Sequence, residues 1–280
     1  LDVSSRFAGG GTRGSVLDLL AFGRAVLDDR LVSPTSRILM ETTMRTRDGR
    51  LTDYGLGFAT YPQHAHYVVA HAGGQPETTS LIVLLPADDL VIALAANLEG
   101  EIGLFRRITT RIIERVLEDG RVRRDAYAQN PADRALYEAL YRTFTYGVAY
   151  QRWRAGHMER LDSLTVPLTV GDVRAFGRAL KLLDRERIAR DPKAAIAEAR
   201  EGHQPHRGAP LLRAGVLMAQ TLARWAGPKA MATYPAQGPL AFFADYHRAC
   251  EALGCAPELR LPERLVADVA RDRKSTRLNS

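Results

Sequence analysis

The run VVAHAGGQPETTSLIVLLP, residues 68–86, sets one imidazole and two residues without side chains where two apolar stretches meet. His71 is of the residue type most used for proton transfer in enzyme sites, and Gly73 and Gly74 follow it with only Ala72 between. Two readings fit these residues. In one, the segment is a hairpin whose glycines supply positive φ and whose histidine decorates the turn. In the other it is an edge strand of an active site, where glycine lets a substrate lie close to the backbone.

Other side chains have the right type for chemistry but the wrong company. His64 and His66 in QHAHY have no third ligand close by in sequence and are predicted to face solvent. His203 and His206 form an H-x-x-H pair, but no HExxH occurs, so no metal site is assigned. Cys250 and Cys255 are the only cysteines. They make no CxxC pair and no disulfide framework, and are expected as buried or partly buried free thiols.

The elements that must position His71 alternate between helix and strand over residues 1–120. SVLDLLAFGRAVLDD (15–29) starts on a good N-cap, Ser15, and Asp18 completes a capping-box spacing. Val16, Leu19, Leu20 and Leu27 fall on one helical face. SPTSRILMET (33–42) predicts a short helix with Pro34 in its first turn. YGLGFATYP, HYVVAHAGG, TTSLIVLLP and DLVIALAANL are four short strand-like runs, the last two joined by a hairpin-length PADD. EIGLFRRITTRIIERVLEDG (101–120) predicts a helix with Phe105, Ile108, Ile112 and Val116 on one stripe and Gly120 as its C-cap.

Beyond residue 125 strand signals cease, and the rest carries helical periodicity punctuated by Pro and Gly. The expected fold class is therefore α+β, an antiparallel sheet with flanking helices followed by an all-α region over 125–271. The boundary falls in EDGRVRRDAYAQNPADR. Trp153, Trp225, Phe242 and Phe243 are predicted as core.

Composition narrows the function classes. With 46% hydrophobic and 25% charged residues the chain is an ordinary globular sequence. No apolar run approaches the ~20 residues of a membrane span. No signal peptide is visible, although LDVSSRFAGGG opens without a Met, which leaves room for a targeting segment ahead of it. The net charge of +7 is nearly all arginine, since Lys181, Lys193, Lys229 and Lys274 are the only lysines. Those arginines are scattered among acids, not gathered into a stripe with aromatics, so no nucleic-acid partner is expected. Heavy Arg and Ala usage fits a GC-rich bacterial genome.

Taken in order, residues 7–118 resemble the C-terminal portion of the serine β-lactamase-like hydrolases, which include class C β-lactamases, D-alanyl-D-alanine carboxypeptidases and related esterases. FAGGGTRGSVLDLLAFGRAVLDDRLVSP resembles that family's stretch leading into a helix and a Leu-Ser-Pro turn. DYGLGF resembles its Tyr-Gly-Leu-Gly strand, HAGG its third motif, and TTSLIVLLPADDLVIALAANLEG the two strands that follow. The resemblance implies a partial β-lactamase/transpeptidase-like fold and a serine that attacks an ester or amide acyl group. It also implies a small-molecule or peptide acyl substrate, no cofactor, and a periplasmic or secreted location.

Carried over residue by residue, the backbone N–H of Gly74 becomes one donor to the tetrahedral oxyanion. His71 stands beside the nucleophile and tunes the general base or the protonation of the leaving group. Gly73 keeps the strand bare for substrate. Ala72 departs from the pattern, because penicillin-recognising members hold a substrate carboxylate there with a Ser or Thr hydroxyl. Together with His in place of Lys, it tilts the reading toward an esterase or peptide hydrolase.

The family's first motif, S-x-x-K, and its second, Y-x-N, do not occur in the chain, nor does a G-x-S-x-G elbow. Both family motifs precede the third, so the resemblance places the nucleophile and base upstream of Leu1 and makes these residues catalytically silent by themselves. The alternative is a non-catalytic binding or interaction module on the same scaffold. HRGAPLLRAGVLMAQTLARWAG and the residues after it faintly resemble the closing helices of some bacterial putative zinc peptidases. The zinc motif itself is absent, so a helical extension of unknown role is the simpler reading. At the end, DRKSTRLNS (272–280) matches a translated sequencing adapter read in frame. That segment is expected to be unstructured, with neither Lys274 nor Ser275 part of any site.

Overall fold

The computed structural model describes residues 10–44, 46–47, 52–117, 131–155, 170–204 and 208–278. They form two compact units. One holds the sheet and takes in 10–44, 52–61 and 67–113; the other is helical and takes in the turn 62–66, residues 114–117 and everything described from 131 onward. The class is α+β: one four-stranded antiparallel sheet and ten α-helices among the described residues. None of those helices is long and apolar enough to cross a membrane.

The sheet unit opens with α1 (Val16–Leu27). The Ser15 side chain accepts from the Asp18 N–H, and the Asp18 carboxylate accepts from the Ser15 N–H at 2.7 Å. Such reciprocal capping satisfies two orphan donors of the first turn. The face that packs differs from the expected stripe. Gly23 and Val26 are buried, Leu19, Leu20 and Leu27 are half-buried, and Val16 is exposed. The cause is Gly23, where a Cβ would lie 2.6 Å from Val91 Cγ1 and 2.9 Å from Ile82 Cδ1, so the helix backbone rests on the sheet.

Helix α2 (Pro34–Glu41) has Ser33 as its N-cap, accepting from the Ser36 N–H. Arg37 is buried between Asp29, 2.6 Å from its Nε, and Glu41, 2.9 Å from its Nη1. YGLG is not a strand. Tyr54 makes one isolated bridge to Ala59, and a Cβ on Gly55 would lie 2.0 Å from the Met40 carbonyl oxygen. The backbone there is pressed against the end of α2, and Gly57 takes a φ of 91°. Regular pairing begins only at Ala59.

Strands β1 (Ala59–Gln63), β2 (His66–Gln75), β3 (Thr78–Leu85) and β4 (Leu90–Ala96) pair in sequence order. Connections this short can join only antiparallel neighbours. In register, His71 faces Ile82, Gly74 faces Thr79 and Leu84 faces Val91. Thr79 is buried; its hydroxyl donates to the Leu98 carbonyl at 2.7 Å and accepts from the Glu101 N–H, fixing the start of α3 (Ile102–Leu117). The buried stripe of α3 is Phe105, Thr109 and Ile113. Ile108 and Val116, expected inside, are exposed. Thr109 survives burial because its hydroxyl donates to the Phe105 carbonyl of the preceding turn. The expected C-cap, Gly120, lies outside the described residues, as does most of the expected boundary segment.

The helical unit comprises α4 (Pro131–Ala155), α5 (Val170–Leu182), α6 (Arg185–Arg190), α7 (Pro192–Glu201), α8 (Pro210–Ala226), α9 (Tyr234–Leu253) and α10 (Glu263–Leu278). Helices α4 and α8 cross in backbone contact. A Cβ on Gly147 would lie 2.2 Å from the Gly215 carbonyl oxygen, and one on Gly215 would lie 2.0 Å from that of Thr143. Asp184 separates α5 from α6: its carboxylate accepts from the Glu186 and Arg187 N–H groups and starts α6. Leu136, Phe144, Phe176, Phe242, Phe243 and Tyr246 lie within the core. Burial of each such side chain contributes about 1.5–3 kcal/mol.

Three further expectations change here. Trp225 is 37% exposed beneath the Arg248 guanidinium and Trp153 is half-buried, so Phe242 and Phe243 alone of the four aromatics are fully enclosed. Cys250 and Cys255 are joined in a disulfide. Gly254 ends α9 with a φ of 64°, turning the chain so that the two Cα atoms come within 4.8 Å. Finally, α10 continues to Leu278, through most of the tail expected to be unstructured. Leu265 and Val269 anchor its first turns in the core, and Arg, Lys and Leu extend an existing helix at little cost.

Candidate functional site

The HAGG segment lies inside β2, not in a turn. The turn is Pro76–Glu77, where Glu77 carries the positive φ of 60°. Neither Gly73 nor Gly74 has positive φ, so the hairpin-turn explanation for these glycines fails. Their reasons must be sought elsewhere, and they differ.

A Cβ on Gly73 would lie 2.4 Å from Ser80 Oγ, the hydroxyl of the residue directly opposite on β3. Packing within the chain therefore accounts for Gly73, whose expected role was to keep the strand bare. At Gly74 a Cβ would meet nothing within 4 Å. Neither backbone strain nor any neighbour demands glycine there.

The ladder shows where the backbone groups point. Two residues separate β2 from β3, and Gln75 pairs with Thr78. In such a hairpin the pairs 75/78, 73/80 and 71/82 exchange both hydrogen bonds, and the residues between them direct N–H and C=O to the far edge. The β1–β2 hairpin agrees. Its turn is His64–Ala65, with φ of 48° and 63°, which sets Gln63 opposite His66 and Ala59 opposite Ala70. In that register Thr60 points away from β2, and its N–H indeed donates to the Asp53 carbonyl at 2.9 Å.

On both counts the backbone N–H and C=O of Ala72 and Gly74 point to the β1 side. β1 runs out opposite Ala70, so among the described residues no strand covers that edge from His71 to Gln75. His71, Ala72 and Gly74 are all exposed. The side chain of Gln75 reaches out to donate to the Gly10 carbonyl at 2.9 Å.

His71 shares its face of the sheet with Gly73, Ser80 and Ile82, and its ring meets the buried Phe58 edge to face at 6.5 Å between centroids. Phe58 and Ser80 were missed from sequence. Counting outward from Pro76–Glu77 would have placed Ser80 across from Gly73; nothing local marks Phe58. The exposed methyl of Ala72, on the opposite face, brings no hydrogen-bonding group. A strand edge left unpaired among the described residues, with an exposed imidazole on the adjoining face, has the backbone groups to pair with an extended chain.

The remaining sequence candidates take other parts. His64 and His66 are buried, at 6% and 1% exposure, and do not face solvent as expected. The Tyr141 hydroxyl is 3.0 Å from His64 Nδ1, and Glu114 lies 3.6 Å from its Nε2. Arg152 Nη1 is 3.0 Å from His66 Nδ1. A guanidinium only donates, so Nδ1 accepts and the ring proton sits on Nε2. The turn belongs to the helical unit, and that packing, invisible to local sequence, buries both rings. His203 stacks on Tyr146 at 5.1 Å, while His206 lies outside the described residues. No cluster of three or more metal-ligating side chains occurs among the described residues.

No family model, curated protein or solved structure matches this chain.

Proposed function

We propose that residues 7–118 are the C-terminal part of a serine hydrolase domain of the β-lactamase-like kind, cleaving an ester or amide acyl group through an acyl-enzyme. The observation that carries this reading is Gly74. It needs no glycine for its own packing, and its N–H points to a strand edge that no strand among the described residues pairs. In the proposed reaction the acyl compound lies along that edge, and the Gly74 N–H donates to the carbonyl oxygen as it becomes an oxyanion. Removing one such donor costs ~10²–10³ in rate. His71, on the neighbouring face, assists proton transfer to or from the base or leaving group. The serine and its lysine come from sequence preceding residue 1, where the family order of motifs puts them. With alanine at 72, the substrate is held without a hydroxyl at that position, which favours simple esters and peptides over penicillin-like carboxylates. The partial β-lactamase/transpeptidase fold belongs to the same proposal.

Extending the genomic reading frame ahead of residue 1 tests it. The longer polypeptide, treated with a fluorophosphonate probe, is expected to label at one serine of an upstream S-x-x-K, while the 280-residue chain stays unlabelled. Labelling within the 280 residues would overturn the site assignment. An unlabelled longer polypeptide without S-x-x-K would favour the non-catalytic binding module.

A further inference from the structure

We propose that the Cys250–Cys255 bond is a redox switch for the corner between α9 and α10: oxidation closes the corner and reduction releases it. The backbone brings the two cysteines together. With Gly254 in the left-handed region, the Cys255 N–H donates to the Cys250 carbonyl at 3.0 Å. The Cα separation of 4.8 Å lies within the range a disulfide spans. The thiols thus meet with no distant segment having to move. A loop this short removes little entropy from the unfolded chain compared with long-range crosslinks, so the effect of the bond is local.

What it holds is the connection 254–262 and the helix that follows. Tyr246 donates to the Leu259 carbonyl at 2.6 Å, and Arg260 Nε donates to the Cys255 carbonyl at 2.9 Å. The turn Pro257–Leu259 packs on α5, and α10 packs on α9. The α9–α10 contact is not filled: a cleft of about 250 Å³ opens between them, lined by Phe243, His247, Leu261, Val266 and Val269. The disulfide thus adds a covalent tie at the corner of a helix pair that leaves this cleft between its members.

The two sulfurs are unequally accessible. Cys250 is buried and Cys255 half-buried, so an incoming thiolate attacks Cys255 Sγ first. That step forms a mixed disulfide and releases Cys250 as a thiolate. A second thiol then attacks the outer sulfur, freeing Cys255 and leaving with the first thiol as their disulfide. Two electrons pass to the protein, and solvent protons complete the two thiols. Oxidised glutathione or a dithiol oxidase runs the exchange backwards. An oxidising compartment therefore closes the corner and the cytosolic glutathione pool opens it.

The test equilibrates the full chain in glutathione buffers from oxidised to reduced, counts thiols by alkylation and follows amide exchange by mass spectrometry. A single two-electron transition is expected, with exchange over 254–270 about ten-fold faster in the reduced form and unchanged over 131–150. Cys250→Ser/Cys255→Ser should show the reduced pattern in every buffer. Equal exchange over 254–270 in both forms would overturn the proposal. So would thiols that stay free in oxidised glutathione.

Discussion

Ser80 Oγ occupies the space that a side chain at Gly73 would need, 2.4 Å from where its Cβ would stand, whereas Ser80 Cβ is a comfortable 3.8 Å away. The adjacent glycine, Gly74, has no such neighbour. Two glycines that look equivalent in sequence therefore have different causes, one met inside the sheet and one left unmet.

A double-mutant cycle separates them. Gly73→Ala and Gly74→Ala gain the same unfolded-state entropy benefit, so their difference reports the clash. Urea denaturation should find Gly73→Ala less stable than Gly74→Ala by about 1 kcal/mol, the scale of a forced Ser80 rotamer. In a Ser80→Ala background that gap should close. A gap that persists without the hydroxyl would mean the clash is not with Ser80.

Gly147 and Gly215 carry a stronger constraint, because backbone carbonyls cannot rotate aside. Gly147→Ala and Gly215→Ala should each destabilise the helical unit by about 1–3 kcal/mol. Gly177→Ala in α5, where a Cβ meets nothing within 4 Å, should be neutral or mildly stabilising. Equal effects at all three positions, read by circular dichroism in urea, would refute the backbone contact between α4 and α8.

Alkaline pH should expose the buried phenols. Burial pushes the Tyr67 and Tyr246 hydroxyls well above their ordinary value of 10.0, and Tyr61 upward as well. A group raised in the folded state contributes its stability in full below the unfolded value and loses it as pH climbs beyond. Stability should therefore hold up to about pH 10 and fall above it. Tyr67→Phe forfeits the 2.6 Å bond to the Glu41 carbonyl, about 1 kcal/mol at neutral pH, yet softens the alkaline fall in the sheet unit. Early tyrosinate absorbance from all ten tyrosines, before any unfolding, would contradict this burial.

What sequence made legible was local. The runs that hold β2, β3 and β4, the PADD connection, the Ser15–Asp18 box and the Pro34 start all follow from neighbours within a few residues, whereas the first run kept only its ATYP end as strand. The misses share a different origin. On α3 the apolar pattern pointed to Ile108 and Val116, but the packed side took Phe105, Thr109 and Ile113, because a threonine that bonds its own helix is effectively apolar. Burial of His64 and His66 depends on Tyr141 and Arg152, some eighty residues away. The Cys250–Cys255 bond depends on Gly254 bending the chain backwards, a conformational fact the spacing alone leaves open. At the candidate site, HAGG stood out by composition, but the reason for each glycine needed the register to Ser80 and the start of β1 at Ala59.

The most direct test compares two substitutions at residue 74 in the polypeptide that carries the upstream residues. Gly74→Ala keeps the N–H. Gly74→Pro deletes it, yet spares the ladder, because that N–H points to the open edge. Circular dichroism should therefore show both variants folded, with Gly73→Pro as the control that breaks a β2–β3 bond and costs ~3 kcal/mol or more. With an ester substrate, Gly74→Pro should lower kcat by ~10²–10³-fold while Gly74→Ala stays within about ten-fold of the parent. Equal kcat for the alanine and proline variants would contradict the assignment of the Gly74 N–H to the oxyanion.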